Sequence, residues 1–247
     1  MTDAGVTVCI PTFDEEETIG MVLDALQAQT TPPEEIIVVD GGSTDSTRSI
    51  AESYSVTVLV ETDGGPAKAR NVGLDACTTP VFGTIDADAV PSKDWLETIT
   101  SILEEWDADA VGAKIIQEGL SPSARWRARR MDFISQEDTG PIERLPGNNV
   151  VFRTESLREI GGWDESYQFA NEDIDLSQRL KESGYRLICT LRTTVYYYGV
   201  TGIPVVTHLW HWYSPGGVRF SSLVSTRSLR HCNKSGKYVV EDLSEGF

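Results

Sequence analysis

The sequence predicts an α/β protein with a mostly parallel sheet flanked by helices on both faces. Three observations carry this. The early apolar runs are short and continuous rather than alternating, as strands buried on both faces require. Amphipathic stretches with helical spacing separate them, the order that builds strand–helix–strand units. Each run also ends in a polar cluster, and ligands of such sheets bind beyond the carboxyl ends of the strands.

Val6-Thr7-Val8-Cys9-Ile10 is the first predicted strand, stopped by Pro11. Glu16 to Gln29 has helical spacing, with Ile19, Val22, Leu23 and Leu26 on one face. Ile36 to Asp40 is the second predicted strand. Ser43 to Ser53 opens with Ser, Thr and Asp capping residues and predicts the second helix. Val56 to Val60 is the third strand. Pro66 stands near the start of a helix through Ala76, where its fixed φ is tolerated. Val81 to Ile85 is the fourth strand. Beyond it the pattern loosens. Strands are expected at Ala110 to Ile116, Val150 to Phe152, Val195 to Tyr198 and Pro204 to Thr207, and a loop at Thr139 to Gly147. Helices are expected at Ser121 to Ile134 and at Glu172 to Ser183, the latter stopped by Gly184. With no internal repeat or low-complexity linker, residues 1–247 read as one domain. Within it the pattern changes near residue 110, which divides about 1–110 from about 111–247.

Four polar clusters fall on one rim of the predicted sheet: Pro11-Thr12-Phe13-Asp14-Glu15, Asp40-Gly41-Gly42-Ser43, Asp63-Gly64-Gly65 and Asp86-Ala87-Asp88. That concentration points to a nucleotide site. The last cluster is the most informative. In an extended chain residues two apart face the same side, so Asp86 and Asp88 can address one point. Paired carboxylates suit a hard divalent cation that keeps positions open for phosphate oxygens, although Asp-x-Asp alone is also a common solvated turn.

Composition narrows the classes. A formal net charge of −17 argues against a nucleic-acid-coating protein and against general attraction to anionic lipid. Acidic residues spread along the whole chain, with lysine scarce beside arginine, suit a protein adapted to high salt, or an ordinary acidic cytosolic one. No run reaches the roughly 20 apolar residues of a membrane span, and the first residues lack signal-peptide character. Cys9, Cys77, Cys189 and Cys232 are scattered without metal-type spacing and read as reduced, which suits the cytoplasm. Two basic places remain: Arg125, Arg127, Arg129 and Arg130 around Trp126, and the tail with Arg219, Arg227, Arg230, Lys234 and Lys237. Either offers a dock for a phosphorylated or membrane-bound acceptor, or a solvated helix and tail. Any membrane association would then be peripheral, at the cytoplasmic face.

Further motifs occur in order: Ala67-Lys68-Ala69-Arg70-Asn71, Gly161-Gly162-Trp163-Asp164-Glu165 and Asn171-Glu172-Asp173. Together with Ile10 to Glu15, Val39 to Asp45 and Asp86-Ala87-Asp88, this constellation resembles the family 2 glycosyltransferases of GT-A fold, over about residues 5–210. The resemblance implies a Rossmann-like sheet and transfer of a sugar from a nucleotide-diphosphate donor, uridine being the commoner base in the family. It implies that Pro11, Thr12, Glu15 and Asp40 line the nucleoside and that Lys68 and Arg70 meet the diphosphate. Asp86 and Asp88 would hold Mn²⁺ or Mg²⁺, with His208 a further metal ligand in preference to His211. Asp173 would be the general base of an inverting transfer, with Asn148, Trp163 and Glu172 on the acceptor side.

The chain departs from the family's polymerising members, which carry Gln-x-x-Arg-Trp after the base. Gln178-Arg179-Leu180 is no match, so non-processive transfer is expected. Tyr196-Tyr197-Tyr198 could stack on sugars, or simply be a strand with alternating faces. The acceptor remains open between a glycan, a lipid phosphate and a small molecule. Two other readings are a sugar nucleotidyltransferase, which would need a Gly-rich basic loop after the first strand where Pro11 to Glu15 stands, and a non-catalytic sugar-nucleotide-binding scaffold.

Overall fold

The protein is described from a computed structural model, which covers residues 5–118, 138–167, 171–198, 228–232 and 238–242, the last two stretches as backbone only. Two compact units, Met1–Thr201 and Gly202–Phe247, divide the chain. In the first unit β1 (Val6–Thr12), α1 (Ile19–Gln27), β2 (Glu35–Asp40), α2 (Thr47–Glu52), β3 (Thr57–Val60), α3 (Pro66–Ala76) and β4 (Val81–Ile85) follow in strict alternation. After them come β5 (Ala89–Pro91), α4 (Trp95–Glu105), β6 (Ala110–Gln117), β7 (Gly140–Pro141), β8 (Asn149–Arg153), α5 (Thr154–Glu159), α6 (Glu172–Glu182) and β9 (Leu187–Tyr197). What is described of the second unit is an antiparallel pair, β10 (Ser228–Cys232) with β11 (Tyr238–Asp242). The expected strand at Pro204 to Thr207 and helix at Ser121 to Ile134 lie outside the described residues.

One nine-stranded sheet organises the first unit in the order β3-β2-β1-β4-β8-β6-β9-β5, with β7 on β9. It is parallel across β3, β2, β1 and β4, and again between β6 and β9. The crossover helices explain the parallel part, because they return the chain to the same sheet end each time. β8 runs antiparallel between β4 and β6. The period-two geometry of the strands sorts side chains into two cores. Val8, Ile10 and Val38 join Ile19, Leu23, Ile99 and Leu103 on one face. Cys9, Ile37 and Val39 join Leu74, Phe82, Trp163 and Leu176 on the other. Cys9, Cys77 and Cys189 are buried free thiols.

Several elements exceed the sequence-based expectations, among them α5 and the two-residue β7 inside the expected loop at Thr139 to Gly147. Trp95, Leu96, Ile99, Ile102 and Leu103 form the buried stripe of α4. β5 is a three-residue strand that returns the chain after the Asp86–Asp88 segment to pair with β9. β9 is 11 residues long and begins at Leu187, well before Val195; its pairing with β6 shifts register between Ala113 and Lys114.

Candidate functional site

The carboxyl ends of β1 and β2 stand side by side, with Thr12 in register with Asp40 and the Gly41 N–H donating to the Thr12 carbonyl at 2.8 Å. Pro11, half-buried, precedes Thr12 in the strand. The Asp40 carboxylate folds back on its own turn, accepting from the N–H groups of Gly42 and Ser43 and from the Ser43 hydroxyl. This turn needs Gly42, whose φ is +90°. Thr12 Oγ1 is buried and has no hydrogen-bond partner in the protein. The two rim loops are also clamped together: Asp14 N donates to Ser43 Oγ, Thr44 N to Asp14 Oδ1, Glu15 N to Thr47 Oγ1 and Ser46 N to Glu16 Oε2. The rim at the ends of β1 and β2 is therefore a braced platform.

Next to it, Glu15, Asp86 and Asp88 crowd one another. Burial pushes the Glu15 carboxyl up to about 7, with Asp86, Asp45 and Asp14 adding to the rise and a Thr18 hydroxyl hydrogen bond opposing it. Burial also raises Asp88 well above the usual carboxylate range, reinforced by Glu15 and Asp86 and opposed by a hydrogen bond from Tyr197. Asp86 is raised less, by burial and by Glu172 and Asp173, because Arg70 pulls the other way. With 31% of the Asp86 side chain accessible, water tempers that burial effect.

Arg70 lies at the centre. Only 3% exposed, it donates from Nη1 to Glu172 Oε1 at 2.8 Å, and from Nη2 to Asp86 Oδ1 at 2.9 Å and the Gly147 carbonyl at 3.2 Å. Expected to meet the diphosphate, it lies between the strand-end Asp86 and the helix-start Glu172. Burial works against its charge, but the two carboxylates outweigh burial and hold it protonated. Asn171 reaches the left-handed region, φ 75°, just ahead of Glu172 and Asp173, so a sharp backbone turn delivers both acids at the start of α6. Asp173 accepts a hydrogen bond from Arg144 at 3.3 Å. Gly147 lies against it, since a Cβ there would come within 3.1 Å of Asp173 Oδ2.

Other expected residues fall elsewhere. Lys68 pairs with Glu61 at 2.9 Å on the rim. Trp163 is 4% exposed and packs edge-on against Phe82 and Phe152, with its backbone held by Asn71, so it belongs to the core. Asn148 accepts the Asp86 N–H through its backbone carbonyl and an Asn149 amide hydrogen bond through its side chain. His208 and His211 lie outside the described residues, as does the Arg125–Arg130 cluster. Arg144 and Tyr197 are additions that the sequence did not single out for these roles. Tyr197 belongs to the Tyr196-Tyr197-Tyr198 run, but the strand's register decides which tyrosine reaches Asp88.

Among the described residues no group of three or more His, Cys, Asp or Glu side chains is arranged to enclose a metal ion. The oxygen donors Asp86 and Asp88 nevertheless fit Mn²⁺ or Mg²⁺, cations that bind through one or two carboxylates and leave positions for substrate phosphates. Burial first, and neighbouring carboxylates after it, raise Asp88 and Glu15.

The family profile described as "Glycosyl transferase family 2" matches residues 7–161. The chain belongs to this family. A family relative, the pre-mycofactocin glycosyltransferase of Mycobacterium tuberculosis, is 31% identical over 194 residues, which cover 74% of this chain and 40% of the relative. Among solved structures, the mannosyltransferase PcManGT of Pyrobaculum calidifontis, in complex with GDP-Man and Mn²⁺, superposes with a TM-score of 0.63 at 26% identity, over 80% of this chain and 58% of that one. TarS of S. aureus, in complex with UDP, gives a TM-score of 0.63 at 22% identity, over 78% of this chain and 60% of its own. The architecture of this family 2 chain is the GT-A glycosyltransferase fold. The chain spans less than two thirds of the length of each of these three proteins.

Proposed function

We propose that the chain is an inverting, metal-dependent, non-processive glycosyltransferase that moves a sugar from a nucleoside diphosphate to a hydroxyl or phosphate acceptor. The observation that carries this is the meeting, on one rim, of the paired carboxylates Asp86 and Asp88 with Asp173 at the start of α6. A donor diphosphate and an acceptor could meet between them. The Mn²⁺ and GDP-Man of the Pyrobaculum relative support a cation and a nucleotide sugar here. The finer division, with a nucleotide half before about residue 110 and an acceptor half after it, is part of the same reading.

Thr12, with its unpartnered hydroxyl, and Asp40 would line the nucleoside beside Pro11 and Glu15, while Lys68 stands on the diphosphate side. Asp86 and Asp88 would hold Mn²⁺ or Mg²⁺, which when bound supplies Lewis-acid stabilisation of charge on the departing nucleoside diphosphate. His208 would be a further ligand. Asp173 takes the proton of an acceptor hydroxyl as its oxygen bonds to the anomeric carbon. The bond from that carbon to the diphosphate oxygen breaks on the opposite face, and configuration inverts. A phosphate acceptor already lacks that proton, and Asp173 then orients it. Asn148 and Glu172 flank this acceptor side and Trp163 supports it from the core. Among the described residues no helix is long and apolar enough to cross a membrane.

The test is calorimetric titration of UDP, GDP, CDP, TDP and ADP with and without Mn²⁺, on the unaltered chain and on Asp88→Ala. One diphosphate should bind in a Mn²⁺-dependent way, with the dependence lost in Asp88→Ala. Equal binding with and without the cation would sink the metal assignment. Asp173→Asn should retain donor binding and lose transfer to a hydroxyl acceptor.

A further inference from the structure

We infer that Arg70 is a positioning residue that locks Asp86 and the start of α6 to each other, so that cation capture and placement of Asp173 depend on one guanidinium. The inference rests on the glycosyltransferase reading and deepens it, because it gives Arg70 a role that involves no contact with the donor.

The geometry is specific. Arg70 projects from α3 and is buried, with its two terminal nitrogens directed to different acids. Nη2 holds Asp86 Oδ1 at 2.9 Å and Nη1 holds Glu172 Oε1 at 2.8 Å. Nη2 also reaches the Gly147 carbonyl, in the segment whose next residue, Asn148, accepts the Asp86 N–H. Gly147 in turn lies against the Asp173 side chain. One fork therefore touches the strand end carrying the proposed cation ligands, the loop beside them, and the helix turn carrying the proposed base. Glu172 is adjacent to Asp173 in the chain, so its fixation sets the first turn of α6.

Energetics point to placement rather than stability as the triad's contribution. Buried ion pairs seldom outperform apolar packing of the same volume, because desolvation offsets the Coulomb gain. Arg70 Nε is moreover buried without a partner, an added cost. A planar fork with fixed angles can hold two acids in a set relation, which the single ammonium of lysine cannot do. The Arg70 bond engages Asp86 through Oδ1, and 31% of that side chain is accessible, so the carboxylate can be held by arginine and still face a cation.

The test compares the unaltered chain with Arg70→Lys, Arg70→Ala and Glu172→Gln, each checked for folding by circular dichroism. Calorimetry reads binding of UDP and GDP across a Mn²⁺ titration, and steady-state kinetics reads donor turnover. Arg70→Lys should raise the Mn²⁺ needed for half-maximal diphosphate binding by about 10–100-fold, the range for losing a residue that orients a metal ligand. It should also lower kcat at saturating Mn²⁺ and donor by about tenfold or more. Guanidinium at millimolar concentration should restore kcat in Arg70→Ala and leave the unaltered chain unchanged. If Arg70→Lys does not fold, Glu172→Gln decides, and it should lower kcat while diphosphate binding persists. Arg70→Lys that changes only the Mn²⁺ requirement, or Glu172→Gln with unchanged kcat, overturns the inference. An unaltered chain that binds no diphosphate overturns the glycosyltransferase reading instead, so the two failures are distinct.

Discussion

Glu15 shows how much the site's chemistry depends on crowding. Its carboxyl, ordinarily near 4.5, is pushed up to about 7, first by burial and then by Asp86, Asp45 and Asp14. A group whose folded pKa lies above its unfolded value takes up a proton on folding. Its stabilising contribution is therefore complete below about 4.5 and lost as pH rises through about 7. Glu15→Gln removes that loss. In chelator-treated buffer the melting temperature of Glu15→Gln minus that of the unaltered chain should climb with pH across this window and level off above it. A difference that stays constant with pH would contradict the buried, crowded environment. At this scale the sequence was legible in part. Asp86, Asp88 and Asp173 are conspicuous because their spacing and strand-end or helix-start positions are local properties. The Arg70–Glu172 contact spans 102 residues, and the choice of Tyr197 over its neighbours depends on the register of β9 against β5, so neither can be read locally.

Packing of α3 on β1 determines where Arg70 sits. Gly73 lies one turn beyond Arg70, and a Cβ there would come within 2.3 Å of Cys9 Sγ and 3.0 Å of Cys9 Cβ. Cys9 is fully buried in β1, so the thiol has no room to yield and the helix would have to lift. Gly73→Ala should therefore cost about 1–3 kcal/mol by overpacking, despite the better helix propensity of alanine. Urea unfolding measures the loss, and pairing Gly73→Ala with Cys9→Ala should recover much of it. No loss in the single variant would mean that α3 floats on the sheet. Elements as regular as α3 were legible because Pro66 and the apolar runs are strong local signals. The α4 stripe was just as strong and lay open to the same reading. β5 and the early part of β9 were not legible, because three residues carry no period and Arg192, Thr193 and Thr194 interrupt the apolar pattern of a strand defined by its neighbours.

Over the whole molecule the net charge of −17 is the dominant long-range quantity. Like charges spread over a compact surface repel, and the repulsion is relieved on unfolding as the charges move apart. Screening length falls from about 10 Å at 0.1 M to about 3 Å at 1 M salt, so concentrated KCl leaves only near neighbours interacting. Those near neighbours include pairs that salt weakens, such as Arg48–Glu52 and Arg192–Glu105, but exposed pairs are worth at most about 1 kcal/mol each. Relief of the general repulsion should win, and the melting temperature should rise as KCl increases from about 0.1 to about 1 M. Sucrose, which strengthens burial without screening charge, provides the control. A melting temperature that rises in sucrose but stays flat or falls in KCl would show that the acidic surface is already neutralised locally. A rise in KCl beyond that in sucrose would establish self-repulsion as the term that salt removes, and would make molar KCl the proper medium for the binding and turnover measurements above.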